Sequence, residues 1–133
     1  MMIKINSKEK FHAITLPGPE ISATMTGELE NYLLSFLQND ACLPERQVKN
    51  IVLILKEIQS LDDAVANKLV HIQQKYYDNK ASFVICELQD PVEKIFDNAG
   101  LLDIMNVTPT ESEAGDIVQM EEIEREMLGD EEF

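Results

Sequence analysis

Two short stretches in the middle of the chain, Ile51-Val52-Leu53-Ile54-Leu55 and Ser82-Phe83-Val84-Ile85-Cys86, leave the least freedom in how it can fold. Successive side chains of a strand point to opposite faces, so a continuous apolar, β-branched run is a strand covered on both sides. Between the two lies Val65, Leu69, Ile72 and Tyr76, an apolar stripe at helical spacing. Asp62 and Asp63 stand ahead of it, where carboxylates favour the positive end of a helix dipole. After the second run, Asp90-Pro91 reads as an N-cap with a first-turn proline before Val92, Ile95, Phe96 and Ala99, and Gly100 ends that helix. Strands that feed helices directly in this way imply crossover connections and a largely parallel sheet, with the Ile51 run central.

The flanking segments fill in the rest. Ile3 and Ile5 alternate with polar residues, and after Asn6-Ser7-Lys8-Glu9-Lys10 a second run, Phe11 to Leu16, places Ile14 and Leu16 on one side; this pattern is a β-hairpin. Pro17-Gly18-Pro19 stops the strand. Leu29, Tyr32, Leu33, Phe36 and Leu37 mark one helix face, with Thr24 or Thr26 available as N-cap. A polar linker runs from Gln38 to Gln47. Leu101 to Val107 reads as a short edge strand, and Thr110-Glu111-Ser112-Glu113 has the capping-box pattern of a last helix with Ala114, Ile117 and Val118 facing inward. The expectation is an α/β domain over 1–128 with a mixed, mostly parallel sheet, an N-terminal hairpin and about four helices, followed by an acidic tail over 129–133.

Charge narrows the function. The 25 acidic residues against 11 basic ones leave a net charge of -14, which repels a polyphosphate backbone and an anionic lipid surface. Neither nucleic acid nor membrane is therefore an expected partner. Many of the acids crowd after Thr110, a pattern that suits a solvated helix face or a site for a basic partner. The first residues lack the apolar segment of a secretory signal, and no run is long enough to span a bilayer. Cys42 and Cys86 are the only cysteines, and nothing pairs them as a structural disulfide, so a reducing cytoplasm is expected.

Catalysis finds little support. His12 and His71 have no third ligand at metal spacing, which leaves them packing or surface roles, and no metal or cofactor is expected. Cys86 suits a small core position and Cys42, near Pro44, an exposed thiol. The chain contains no Gly-x-Gly-x-x-Gly, Walker loop or Gly-x-Ser-x-Gly, so nucleotide hydrolysis and serine catalysis are not indicated. Asp62 and Asp63 are adjacent on a first helical turn and diverge, unlike a glycosidase pair facing across a cleft. A phospho-accepting receiver domain also uses paired acids, but after its first strand, whereas two strands and a helix come before the Ile51 strand that leads to Asp62. No catalytic residue is expected, and capping accounts for the pair as a purely structural device.

The element order, strand-strand-helix followed by three strand-helix units, resembles the STAS family of sulfate-transporter and anti-sigma-factor-antagonist domains over nearly the whole chain. Two corners carry the likeness. Leu16-Pro17-Gly18-Pro19-Glu20-Ile21-Ser22 is similar to the family's Leu-x-Gly-x-Leu-Asp turn with one residue inserted, and places Ser22 where an acid is common. Ile58-Gln59-Ser60-Leu61-Asp62-Asp63-Ala64-Val65 is similar to the stretch that carries Asp-Ser-Ser/Thr-Gly, with Asp62 as the family's aspartate and Val65 in place of its glycine. The position of the serine phosphorylated by a partner kinase is Asp63 here. Further on, Asp90-Pro91-Val92 with Ile95, Phe96, Gly100 and Leu101, and then Thr108 to Ala114, resemble the third helix and the return of the family.

What the resemblance implies is a bacterial protein-binding module, not an enzyme. It would dock an anti-sigma factor or kinase-type protein around Ser22, Ser60, Asp62, Asp63, Val65 and Asn67 and so control transcription, without the usual serine phosphoswitch. Ser60, offset from the motif, reads first as ordinary loop chemistry, with a substitute acceptor as the alternative. The alternative is a scaffold domain that has lost the switch and assembles a larger signalling complex.

Overall fold

The computed structural model describes residues 3–8, 10–37 and 49–131. Two strands open it: β1 (Lys4–Ser7) and β2 (His12–Thr15), paired antiparallel with Ser7 opposite His12. A two-residue strand, β3 (Glu20–Ile21), and a 3-10 turn over Ala23–Met25 lead into α1 (Thr26–Leu34). Then follow β4 (Ile51–Ile54), the short β5 (Ser60–Leu61), α2 (Asp63–Asp78), β6 (Phe83–Cys86), α3 (Asp90–Asn98), β7 (Val107–Thr108) and α4 (Glu111–Glu131). The main sheet has the order β1-β2-β4-β6-β7, parallel from β2 onward, with β4 at its centre and the hairpin at one edge. The expected α/β architecture is what the chain builds, with four α-helices among the described residues. The linker over residues 38–47 and Cys42 lie outside the described residues.

The two apolar runs divide by residue parity. Ile51, Leu53, Leu55, Phe83 and Ile85 point to one face, where they join Ile14, Leu16 and the inner sides of α1, α2 and α3. Val52, Ile54, Val84 and Cys86 point to the other, where Ala13, Ala114 and Val118 meet them and, among the described residues, α4 is the helix that covers the sheet. This double burial is why neither run alternates, and each buried aliphatic side chain contributes about 1.5 to 3 kcal/mol. Tyr76 is the largest side chain enclosed on the three-helix face, and its hydroxyl donates to the Leu33 carbonyl, tying α2 to the end of α1. Burial, helped by Tyr32, holds its phenol well above the ordinary tyrosine range.

The amino ends of the central strands hold α4 through polar groups. Asn50, just before β4, donates to the Lys10 carbonyl at 2.9 Å and to Glu122 at 2.7 Å, and accepts from the Ser82 amide at 2.8 Å. Ser82 donates to Glu121 at 2.5 Å and accepts from Arg125 at 3.0 Å. Tyr77 donates to the same Glu121 at 2.8 Å and accepts from the Asn106 amide group. Among the described residues no buried side-chain nitrogen or oxygen lacks a hydrogen-bond partner, so the network costs little for its burial.

Several local expectations change. The run after β4 does not feed α2 directly: β5 intervenes, paired in parallel with β3 as a separate two-stranded sheet. The cap of α1 is Met25 rather than Thr24 or Thr26, because the 3-10 turn absorbs the start, and Thr26 turns its hydroxyl back to the Ala23 carbonyl at 2.8 Å. Gln89 rather than Asp90 caps α3, and Ala99 is exposed beyond its end. Leu101 to Met105 coils back as turns, leaving only Val107–Thr108 as edge strand. Thr110 does accept from the Glu113 amide at 3.2 Å, as an N-cap should. Helix α4 runs on through Glu131, past residue 128.

Candidate functional site: two corners zipped at the carboxyl end of the sheet

The chain leaves the carboxyl ends of β2 and β4 through two loops that pack on each other. Gly18 makes this approach possible: a Cβ there would lie 1.6 Å from the Glu57 carbonyl oxygen, closer than any side chain can sit. The Pro19 carbonyl then accepts from the Gln59 amide at 2.7 Å and the Ser60 amide at 3.1 Å, which starts the β3 and β5 pairing. Ile21 and Leu61 point inward and are buried, which anchors the zipped loops to the three-helix core.

Asp62 closes the arrangement. Its amide donates to the Ile21 carbonyl at 3.2 Å, and its carboxylate accepts from the Ala23 amide at 2.7 Å, the first amide of the 3-10 turn. Asp62 holds the N-cap position of α2 with extended backbone, yet its side chain makes no cap bond to that helix. The carboxylate therefore satisfies the start of the neighbouring segment instead of its own, and joins the two corners across 39 residues of sequence. Its carbonyl receives the Val65 and Ala66 amides at 2.9 and 3.2 Å, so the backbone still begins α2.

Asp63 is the first residue of α2 and is exposed, as are Ser60, Asp62 and, one helical turn further along the same side, Asn67. Ser22 is half-buried beside them, with its hydroxyl 2.8 Å from that of Thr24. Val65 is completely buried in the core. The structure thus brings Ser22, Ser60, Asp62, Asp63 and Asn67 to one surface, and takes Val65 off it because its place on α2 faces the sheet. Among the described residues no side chain meets the Asp63 carboxylate.

The residues missed from sequence are backbone groups: the Pro19 carbonyl, the Ala23 amide and the Cβ-free approach of Gly18. A glycine between two prolines was the one available signal for close packing. The Lys68 ammonium, 3.4 Å from Glu30, bridges α2 to α1 beside this surface. The surface is acidic and solvated, and among the described residues no nucleophile and base are in contact on it. Among the described residues no three His, Cys, Asp or Glu side chains gather as a metal centre requires. His12 is buried in β2 with its Nδ1 2.8 Å from the Ser7 hydroxyl, and His71 is exposed on α2. Cys86 is enclosed, and burial, then the charges of Glu87 and Glu111, push its thiol up to about 12. Among the described residues no helix is long and apolar enough to cross a membrane.

Comparison with known proteins agrees with this geometry. The family model described as the STAS domain matches residues 3–114. An anti-sigma F factor antagonist of Paenibacillus polymyxa is 26% identical over 92 residues, which are 68% of this chain and 79% of that protein. The crystal structure of a putative anti-sigma factor antagonist from Thermotoga maritima superposes with a TM-score of 0.73 at 18% identity, covering 88% of this chain and 94% of that one. The phosphorylated form of the Bacillus cell fate determinant SpoIIAA superposes with a TM-score of 0.60 at 15% identity, covering 88% of this chain and 99% of that one. With the family model matched over most of the chain and the fold shared with these structures, the chain belongs to the STAS domain family and carries an anti-sigma factor antagonist-like domain of that fold.

Proposed function

We propose that this chain is a regulatory protein-binding module that docks an anti-sigma factor or kinase-type protein and so controls transcription in a bacterial cytoplasm. The docking surface is formed by Ser22, Ser60, Asp62, Asp63 and Asn67, with Val65 supporting α2 from beneath. The observation that carries the reading is the exposed Asp63 at the start of α2, presented beside a corner that Asp62 has fixed in place. A rigid, solvent-facing helix start with an unengaged acid offers a partner a defined surface without a catalytic step.

Asp63 stands where the antagonists of this family carry the phosphorylated serine. A phosphoserine adds about -1.5 to -2 charges and a carboxylate about -1, so Asp63 holds the domain near its phosphorylated state at all times. In such antagonists phosphorylation releases the anti-sigma partner, so this member binds a conventional partner weakly or has a partner adapted to the fixed acid. Nothing about this role calls for a cofactor, a metal or nucleic acid.

The test is co-purification from the source cells with this chain as bait, identification of bound proteins by mass spectrometry, and Asp63→Ser in parallel. Recovery of an ATP-binding kinase or anti-sigma protein, increased by the serine variant, is the expected result. Recovery only of components of a large complex, indifferent to residue 63, favours the second reading, a non-switching scaffold. That reading draws its support from the lost hydroxyl at position 63 and from Val65 in place of the motif glycine.

A further inference from the structure

Helix α4 presents an apolar patch to solvent at the far end of the molecule from Asp63. Ala114 and Val118 turn into the sheet, and Glu121, Glu122 and Arg125 engage the amino ends of β4 and β6. The opposite side of the helix carries Met120, Ile123 and Met127, exposed at 60%, 49% and 60%. Their spacing of three and four residues puts them in one row. Solvated helix faces are ordinarily polar, and three large apolar side chains in a row are the anchor pattern by which one helix receives another.

Exposed acids border the row: Glu124 stands beside it, and Asp116 and Glu113 continue the same face toward the start of α4. No exposed basic residue shares this face among the described residues, since Arg125 points inward to Ser82 and Asn50. A second copy of the chain would bring two such acidic borders, and two net charges of -14, together. An anionic membrane is repelled for the same reason. The complementary occupant has apolar residues at helical spacing flanked by lysine or arginine.

We propose that the Met120, Ile123 and Met127 face of α4 is a second docking site, which takes a basic amphipathic helix of a partner protein. Lying on the other face and at the other end of the sheet from Asp62 and Asp63, it does not depend on the reading given to that corner.

The probe is a fluorescein-labelled peptide of about 18 residues, leucine and lysine at amphipathic helical spacing, titrated by anisotropy against the full chain. A scrambled peptide of the same composition controls for charge. The triple variant Met120→Gln, Ile123→Gln and Met127→Gln removes the apolar row without altering charge or facing the core, and thermal melting verifies its fold. Binding of the patterned peptide at least about tenfold tighter than the scrambled one, and about tenfold weaker to the triple variant, is the expected result. Equal binding of both peptides, or no loss in the triple variant, overturns the proposal. Sedimentation of the unmodified chain as a dimer that the triple variant dissolves also overturns it, because the row is then covered by a second copy.

Discussion

The two ends of the sheet treat polar groups in opposite ways. At the amino end Asn50, Ser82, Tyr77, Glu121 and Arg125 bond to one another and to backbone, and the helix they hold is thereby fixed in position. At the carboxyl end backbone bonds to the Pro19 and Ile21 carbonyls zip two loops together, one side-chain bond, Asp62 to Ala23, is added to them, and beyond it Ser60, Asp63 and Asn67 face water. Buried polar groups must be satisfied within the fold, and a network that achieves this specifies structure. Polar groups left in water on a fixed backbone add little to stability and remain available to a partner. The comparison separates residues that make the domain from residues that use it.

Substitutions at the two ends should therefore differ in what they change. The largest effect is expected where the corners touch: Gly18→Ala drives a methyl group into the Glu57 carbonyl, and overpacking of this kind costs about 3 kcal/mol or prevents folding. Urea denaturation reads this directly, and a midpoint close to that of the unmodified chain would mean that the loops are not in contact. Next is Asn50→Ala, which strips partners from the Ser82 amide, the Lys10 carbonyl and Glu122 together and should cost about 2 to 3 kcal/mol. A loss below about 0.5 kcal/mol would remove the structural role assigned to the amino end. Asp62→Ala should cost about 1 kcal/mol, the worth of one charge-assisted bond at an exposed turn, and should loosen the loop around Ala23 in amide exchange.

Alkaline pH probes enclosed hydroxyl and thiol groups, Tyr76 and Cys86 in the core and Tyr77 in the amino-end network. Burial raises the Tyr76 and Tyr77 phenols, the latter also through the hydrogen bond and charge of Glu121, and pushes the Cys86 thiol from 9.0 to about 12. These groups are neutral when protonated, and the folded chain keeps their protons to higher pH than the unfolded chain does. Their stabilisation is thus complete below about pH 9 and is lost progressively as pH rises toward the folded values. A melting temperature that stays flat from pH 9 to 11 would contradict the burial of all three.

The centre of the main sheet was legible because β4 and β6 are apolar on both faces over their whole length and so carry a pattern. The runs at Ile51 and Phe83 could be nothing but covered strands, and the stripes Val65 to Tyr76 and Val92 to Phe96 had to be helices packed on them. The corners were legible only through their resemblance to STAS motifs. Strands β3 and β5 have two residues each, too few for any periodicity, and exist because loops distant in sequence meet around Gly18. Asp62 was readable as a helix cap, but which amide its carboxylate takes is decided by that meeting. Val65 shows the converse: motif position suggested surface, while helical spacing with Leu69, Ile72 and Tyr76 already placed it inside. The Met120 row was hidden among acids that read as an ordinary solvated face, although the inward aim expected of Ala114 and Val118, which the structure bears out, already turned that row outward.

Asp63→Ser lies at the small end of the stability series and at the large end for function. It removes one exposed carboxylate from a helix start, worth less than about 0.5 kcal/mol to folding. The decisive measurement is a calorimetric titration of Asp63→Ser and of the unmodified chain with the anti-sigma or kinase-type protein recovered from the source cells. The account predicts that the serine variant changes affinity at least about tenfold with an unchanged melting temperature, tighter for a conventional partner and weaker for one adapted to the fixed acid. Equal affinities would contradict it, and would leave residue 63 as no more than the first residue of α2.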